Sequence, residues 1–290
     1  MQKVSIIIPV KEKNDIYLKE CIEGIKKQNY LDYEILVVPD SACPGKPSKK
    51  RNWAVNQATG EILCFIDSDA VPCDENWLSN SIKFFDDQEI GAIAGPQLNH
   101  PTDSFFQKIS GKTLALKICS GGFADRYKIG KKGLVEVSEM PSVNLFVRKR
   151  LFENFDELIL TGEDAKLCFQ IKKKGYKVIY NPSIQIYHHR RKNLWLHCKQ
   201  IFIYGRDKVK VLKDLKIFKL SYYIPTLFVL GLCFGWLISQ QIYFTILSIY
   251  LLIVILSSLK YRLWEAGFVM VYVILTPLSY GLGFLWGLIR

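Results

Sequence analysis

An uncharged stretch of 40 residues, Leu220 to Leu259, limits what the C-terminal part of this chain can fold into. A second stretch, Ala266 to Ile289, has 24 residues without a charged side chain. One helical crossing of a bilayer takes about 20 apolar residues, and in the hydrocarbon core only helices or closed barrels satisfy their backbone polar groups. We therefore predict a helical membrane domain with about three transmembrane helices, at residues 220–239, 242–259 and 267–289.

The positive charge of the chain is concentrated beside these apolar stretches. The net charge is +12, and residues 190–220 contain ten Lys or Arg against two Asp, a net of +8. Basic clusters next to membrane helices favour anionic lipid surfaces. Residues 191–219 are therefore predicted to form a basic amphipathic segment at the interface, with a helix from Leu194 to Leu215. Nucleic acid is the alternative partner for a basic run, but the adjoining apolar stretches favour lipid.

Two features of the sequence predict the orientation in the membrane. The apolar run from Val4 to Val10 is short and contains Pro9, so we interpret it as a strand and not as a signal peptide. Lys260 and Arg262 follow the second predicted span, as the positive-inside rule expects of a cytoplasmic loop. We predict an integral protein of the cell membrane, whose domain of residues 1–190 faces the cytoplasm. Three crossings would place Arg290 on the opposite side.

The N-terminal part shows the alternation of strands and helices that is typical of α/β domains. Strands are predicted at Val4–Val10 and Tyr33–Val38, with an amphipathic helix between them that Asn14 or Asp15 can cap. This order predicts a right-handed parallel βαβ unit. A short helix from Arg51 to Ala58 is expected before a third strand. The predicted fold class is a nucleotide-binding, Rossmann-like α/β domain.

Two aspartates follow the third predicted strand directly. An apolar run of strand length ends at Ile66 and is followed by Asp67-Ser68-Asp69. Ligands of open α/β sheets bind beyond the carboxyl ends of buried strands. Carboxylate oxygens are the ligands that hard divalent cations prefer. We therefore predict that Asp67 and Asp69 hold a divalent metal together with a diphosphate group.

Several common site types are missing from the sequence. Neither Gly-x-Gly-x-x-Gly nor Gly-x-x-x-x-Gly-Lys-Ser/Thr follows an early strand, which argues against a dinucleotide-binding enzyme and a P-loop nucleoside triphosphatase. Phosphates would then need basic side chains such as Lys49 and Arg51. The eight cysteines are scattered without a Cys-x-x-Cys pair, which predicts reduced thiols and not a zinc site or a disulfide framework.

The later part of the domain contains a second pair of acids and a pair of histidines. Glu163-Asp164 lies at the start of a helix predicted to run to about Lys174. The pair is explained either by capping, with Thr161 as the cap, or by catalysis. His188-His189-Arg190-Arg191 suits a metal or phosphate site and equally an exposed basic elbow. Residues 101–134 are predicted to be a mobile loop region.

Together, these stretches resemble the family 2 inverting glycosyltransferases of the GT-A fold. The residues that carry the resemblance are VSIIIPV at 4–10, EILVVPD at 34–40, Arg51-Asn52 before ATGE at 58–61, FIDSD at 65–69, GED at 162–164, and Gly175-Tyr176 leading to Pro182 and His188. The resemblance implies a GT-A domain that precedes the membrane helices. One departure is Pro39-Asp40, where the family often has two acids.

The resemblance also implies roles for individual residues. Asp164 would be the general base. Asp69, with Asp67, would ligate Mn²⁺ or Mg²⁺, and His188 would add a further metal contact. The residues that would contact the nucleotide-sugar donor are Pro9, Val10, Asp40, Arg51, Asp67 and Ser68.

The resulting hypothesis is a membrane-anchored, metal-dependent inverting glycosyltransferase. It would move a sugar from a nucleoside diphosphate sugar, expected to be a UDP-sugar, to a lipid-linked polyprenyl acceptor in cell-surface glycan or glycoprotein biosynthesis. A processive polysaccharide synthase is one alternative, against which the missing Gln-x-x-Arg-Trp motif and the small number of spans argue. A non-catalytic scaffold that binds a nucleotide sugar is another alternative.

Overall fold

The apolar runs of the N-terminal sequence form the strands of a mixed sheet in this computed structural model. The structure describes residues 2–130 and 133–290, so Lys131 and Lys132 of the predicted loop region lie outside the described residues. The strands are β1 (Val4–Pro9), β2 (Tyr33–Val38), β3 (Ile62–Ile66), β4 (Ala70–Pro72), β5 (Ile90–Ala94), β6 (Gln97–Asn99), β7 (Val135–Glu136), β8 (Asn144–Arg148), β9 (Lys177–Tyr180) and β10 (Ile186–His188).

The strand order across the main sheet is β2-β1-β3-β8-β5-β9-β7. Strand β1 pairs in parallel with β2 and with β3, as predicted for the βαβ unit, whereas β8 runs antiparallel to β3 and β5. The carboxyl ends of β1, β2 and β3 therefore lie at one edge. A smaller sheet has the order β4-β10-β6.

The helices account for most of the remaining regular structure. They are α1 (Ile16–Lys26), α2 (Pro47–Val55), α3 (Trp77–Ile82), α4 (Phe105–Leu114), α5 (Lys117–Ser120), α6 (Glu163–Lys173), α7 (Leu194–Leu215), α8 (Ile224–Ile238), α9 (Gln240–Ser258) and α10 (Leu263–Ile289). Short 3-10 helices occupy Lys83–Asp86, Gly121–Tyr127, Lys149–Leu151 and Leu220–Tyr222.

The starts of α1 and α6 agree with the sequence prediction, whereas the start of α2 differs. The Asp15 side chain caps α1 by accepting a hydrogen bond from the Tyr17 amide. Helix α2 begins at Pro47, four residues before the predicted start, because the missing N–H of proline costs nothing in the first turn. The cap of α6 is Gly162, with a φ of 88°, and not Thr161, the residue named in the capping explanation of the acid pair.

The prediction of a mobile loop at 101–134 was wrong for much of that segment. Helices α4 and α5 and the 3-10 helix Gly121–Tyr127 lie there. Ser104 and Gln107 form a capping box at the start of α4, which satisfies two amides that a helix end otherwise leaves unpaired. Ile109 and Leu116 are buried in a cluster with Val269 of α10, and this burial stabilises the segment.

The described residues divide into two compact units. The first contains residues 1–101 and 128–189, and the second contains 102–127 and 190–290. The division therefore passes close to the predicted domain boundary at residue 190. It differs in assigning residues 102–127 to the unit of the C-terminal helices.

The first unit has a core on each face of its main sheet. Side chains of β1 alternate between the two faces, with Ile6 and Ile8 in one cluster and Ile7 in the other. Burial on both faces explains the continuous apolar sequence of this strand. A buried polar group, Asn144, accepts a hydrogen bond from the Trp77 indole at 3.0 Å and donates one to the Ile184 carbonyl at 2.8 Å.

In the second unit, α7 and α10 lie against each other through glycines. A Cβ at Gly205 would lie 2.2 Å from the Tyr280 carbonyl oxygen, and one at Gly283 would lie 2.0 Å from that of Phe202. The two backbones are therefore in direct contact. Higher residue numbers on α7 meet higher numbers on α10, since His197 bonds to Thr276 and Arg206 lies beside Gly287. The two helices run in the same direction.

Helices α8 and α9 form a hairpin with a break at Ser239, which caps α9. The rings of Phe228 and Tyr250 pack between them at 4.6 Å. By length and apolar composition, α9 and α10 are candidate membrane spans, whereas α8 has 15 residues. Such helices are by themselves weak evidence of a membrane protein.

Gly95 is a sensitive position in the first unit. A Cβ there would lie 1.8 Å from the Ile184 carbonyl oxygen, so Gly95→Ala must displace the backbone before β10. We expect a loss of about 3 kcal/mol in the free energy of unfolding, measured by denaturant titration. Gly133→Ala is the control, because a Cβ there meets nothing within 4 Å. Equal stability of the two variants would contradict the close packing at Gly95.

Candidate active site

The Asp67-Ser68-Asp69 turn directly follows β3, and all three residues are half-buried. The Asp67 carbonyl accepts a hydrogen bond from the Ala70 amide at 3.1 Å, and the Asp69 carbonyl accepts one from the His189 amide at 3.0 Å. The turn is thus attached to the chain that leaves β10. These bonds hold the aspartate side chains at the carboxyl end of the strand.

Asp67, Asp69 and His188 come together as a candidate metal site, with one ligand atom from each lying within 4.8 Å of the others. The Nε2 atom of His188 is 3.2 Å from Asp69 Oδ1. Its Nδ1 atom is 2.6 Å from the Gln97 side-chain oxygen. Because this oxygen accepts a hydrogen bond from Nδ1, the Nε2 atom is left available as a metal ligand. Two carboxylates and an imidazole are donors that fit Mn²⁺ or Mg²⁺.

Arg51 lies between two acids and is 3% exposed. Its guanidinium donates to Asp67 Oδ1 at 2.5 Å and to Glu163 Oε1 at 2.9 Å. Burial and the nearby Asp164 carboxylate raise the pKa of Glu163 to about 7, against the opposing effect of Arg51. Sequence reasoning selected Arg51 and Asp67 but missed Glu163, the second acid that Arg51 binds.

The two acids at the start of α6 have different surroundings. Glu163 is buried against Arg51, whereas Asp164 is half-buried. Asp164 accepts a hydrogen bond from the Ser142 amide at 3.0 Å and another from the Ala165 amide at 2.8 Å. These bonds fix the orientation of the Asp164 carboxylate on the first turn of the helix, where the helix dipole favours a negative charge.

Lys50 is a site residue that the sequence analysis missed. Its ammonium group is 2.7 Å from Asp40 Oδ1 and donates to the Val10 carbonyl. The hydrogen bond from Lys50 lowers the pKa of Asp40. Lys50 is buried because α2 starts at Pro47, whereas Lys49, which was predicted to face phosphates, is exposed. Pro47 was the signal in the sequence: a helix that starts at this proline includes Lys50.

The predicted site residues therefore form two groups. One joins the ends of β1 and β2, where Pro9 lies beside Val38 and Lys50 connects Val10 with Asp40. The other comprises the Asp67–Asp69 turn with Arg51 and His188. Asp164 follows Glu163 in the chain and so lies next to the second group. Contacts of these residues with a donor or a metal stay predictions.

Comparison with known families gives a direct result. Residues 4–202 match the family described as glycosyltransferase like family 2. The chain belongs to this family. The resemblance that was inferred from the sequence motifs is thereby confirmed.

Curated relatives of the chain are distant. A protein of Methanococcus voltae, named dolichyl N-acetyl-alpha-D-glucosaminyl phosphate 3-beta-D-2,3-diacetamido-2,3-dideoxy-beta-D-glucuronosyltransferase, is 24% identical, over 90% of this chain and 88% of the relative. The O-antigen biosynthesis protein RfbC of Myxococcus xanthus is also 24% identical, over 64% of this chain. The chain spans 17% of the length of RfbC and 24% of that of an uncharacterized Sinorhizobium fredii protein, y4gI.

A solved structure shows the same fold. The mannosyltransferase PcManGT from Pyrobaculum calidifontis, in complex with GDP-Man and Mn²⁺, aligns with a TM-score of 0.60 at 16% identity. The alignment covers 96% of this chain and 87% of that one. The predicted fold class, a GT-A domain followed by apolar C-terminal helices, is confirmed.

We predict that Arg51→Met lowers the free energy of unfolding by about 3–5 kcal/mol, because it leaves Glu163 buried without its cation. The double variant Arg51→Met/Glu163→Gln should recover part of the loss. Denaturant titration of the full chain in detergent measures both, with Lys49→Met on the exposed face of α2 as the control. Strictly additive effects of the two substitutions would contradict the coupling between Arg51 and Glu163.

Proposed function

We propose that the protein is a metal-dependent, inverting glycosyltransferase that uses a nucleoside diphosphate sugar. The observation that carries the proposal is the convergence of Asp67, Asp69 and His188 at the end of β3, in a domain that matches family 2. The GDP-Man and Mn²⁺ held by PcManGT support this class of donor and cofactor. UDP-sugars are the donors to test first.

The nucleoside is proposed to bind at the ends of β1 and β2. Lys50 holds both the Val10 carbonyl and the Asp40 carboxylate, so these two acceptors keep a fixed separation. One carboxylate oxygen of Asp40 is paired with Lys50. The second oxygen is proposed to accept a hydrogen bond from the nucleotide base. Pro9 and Ser68 are proposed to contact the donor as well.

The diphosphate is proposed to lie over the Asp67–Asp69 turn. Asp67, Asp69 and His188 would hold Mn²⁺ or Mg²⁺, which supplies the positive charge that stabilises the departing diphosphate. Arg51 is 3% exposed, so we assign it a positioning role. It would hold Asp67 in place, in contrast to the donor contact that the family resemblance implied for it.

Asp164 is proposed to be the general base. It would take the proton from the acceptor hydroxyl as that oxygen attacks the anomeric carbon. The new C–O bond forms on the face opposite to the bond that breaks, the nucleoside diphosphate leaves with its electron pair, and the anomeric configuration inverts. The two amides that bind Asp164 keep its carboxylate oriented for this transfer.

A lipid-linked saccharide is the proposed acceptor. The relative in Methanococcus voltae is named for transfer to a dolichyl phosphate-linked sugar. The second unit of this chain exposes many large apolar side chains on α8 and α9, Leu227, Phe234, Ile242 and Phe244 among them. Exposed apolar surface of this extent supports the proposal that the unit contacts a membrane, where polyprenyl lipids are found.

We further propose that the α8–α9 hairpin enters the bilayer, whereas α7 and α10 lie along its surface. If α10 crossed the bilayer, α7 would cross beside it, because the two are in direct contact from His197 to Arg206. Lys199 and Arg206 would then be buried in hydrocarbon, at about 2.5–3.5 kcal/mol each at the centre. Lys208 and Lys210 would be carried across against the positive-inside rule. The catalytic domain would face the cytoplasm.

This arrangement predicts that a tag placed after Arg290 lies on the same side of the membrane as a tag at the N-terminus. Protease digestion of inside-out and right-side-out vesicles measures the side of each tag. Cleavage of both tags in the same vesicle type is the expected result. Cleavage in opposite types would instead support the three crossings predicted from the sequence.

For Asp164→Asn we expect donor binding that still depends on the metal, together with a loss of transfer of at least about 100-fold. Asp69→Asn should instead lose the metal-dependent part of donor binding. Calorimetry with UDP-sugars and GDP-sugars, with Mn²⁺ or with chelator, measures binding. Sugar incorporation into a lipid extract of membranes measures transfer. Normal transfer by Asp164→Asn would exclude Asp164 as the base.

A further inference from the structure

A second group of potential metal ligands lies in the first unit, apart from the three residues of the candidate active site. Glu20, His100 and His189 have ligand atoms that all lie within 4.8 Å of one another. Glu20 Oε1 is 3.1 Å from His100 Nε2, and Glu20 Oε2 is 3.2 Å from His189 Nε2. Both histidines are buried, at 5% and 7% exposure.

The fold brings these three residues together for identifiable reasons. Strands β6 and β10 run in parallel with Asn99 opposite His188, so the next residues, His100 and His189, lie side by side. Their ring centroids are 4.1 Å apart, and the rings are tilted by 31° relative to each other. Glu20 comes from α1, where Tyr17, one turn earlier, packs its ring on His189 at 4.4 Å.

The two adjacent histidines serve different groups. Successive side chains of an extended segment point to opposite sides. His188 accordingly reaches Asp69 and Gln97, whereas His189 reaches Glu20. The His-His dipeptide, which the sequence analysis treated as one feature, therefore contributes one imidazole to each of two groups.

We propose that Glu20, His100 and His189 form a Zn²⁺ site outside the proposed catalytic group. Two imidazoles and one carboxylate, with water as the fourth ligand, are an established ligand set for zinc. Bonds of about 2.1 Å in a tetrahedron separate neighbouring ligand atoms by roughly 3.4 Å. The contacts of 3.1 and 3.2 Å, each made by a different carboxylate oxygen of Glu20, are close to that value. The nitrogen-rich set differs from the carboxylate-rich group at Asp67 and Asp69, which suits harder cations.

A cation at this position would link three elements of the first unit. It would join α1 to the residues that follow β6 and β10. His189 also donates its amide to the Asp69 carbonyl, so the same link would steady the backbone that carries His188. The zinc site does not depend on the proposed transferase activity.

The experiment uses the full chain in detergent after treatment with a chelator. Asp67→Asn/Asp69→Asn removes the first group, and this background is titrated with Zn²⁺ by calorimetry and with Co²⁺ by visible absorption. We expect one equivalent of Zn²⁺, a four-coordinate Co²⁺ spectrum and a higher Tm with Zn²⁺. Adding Glu20→Gln should weaken the binding of Zn²⁺ by more than the roughly 10- to 100-fold loss of affinity that follows removal of an outer-shell partner.

Controls separate the site from general metal binding and from misfolding. Glu23→Gln lies on the exposed part of the same helix and should bind Zn²⁺ like its parent. His100→Gln tests the second ligand, and circular dichroism without metal reports whether each variant is folded. No Zn²⁺ uptake in the Asp67→Asn/Asp69→Asn background would overturn the proposal. Uptake that Glu20→Gln and His100→Gln leave unchanged would overturn it too, and Glu20 would then only hydrogen-bond to the two imidazoles.

Discussion

The buried guanidinium of Arg51 is the interaction on which the geometry of the candidate site depends. It binds Asp67 after β3 and Glu163 at the start of α6, so one side chain from α2 joins three elements. A buried charge is tolerated only when it is paired and hydrogen-bonded. The arrangement therefore specifies one position of the turn relative to α6. Asp164, which follows Glu163, takes its place from the same contact.

The strands and several helices were predictable because their side chains follow simple periods. The bounds of β2 and α7 agree with those expected from the sequence, since a short run rich in strand-forming residues marks a strand and amphipathic spacing marks a helix. Asp67 and Asp69 were selected because they directly follow a buried strand, and the metal role of His188 was implied by the resemblance to a known family. Their position at a strand end follows from the general architecture of α/β sheets.

Other features depend on contacts between residues that are distant in the chain. Nothing local in the sequence pairs Arg51 with Glu163, 112 positions away. The antiparallel insertion of β8 between β3 and β5 is equally non-local. Helix α4 was mistaken for a loop because Gly- and Ser-containing stretches follow it, although its capping box and its burial against α10 mark a helix. Lys50 was missed through a helix start placed four residues late.

The small sheet β4-β10-β6 has a consequence for how a cation would enter and leave the candidate active site. Strand β4 continues from the aspartate turn, β10 ends in His188, and β6 begins with Gln97, which binds His188. Backbone pairing across three strands thus couples the ligand-bearing segments into one body. Binding of a cation would order few additional torsions, so little conformational entropy opposes it. Exchange of the cation would then be controlled by solvent and donor access, because no ligand-bearing segment can swing away by itself.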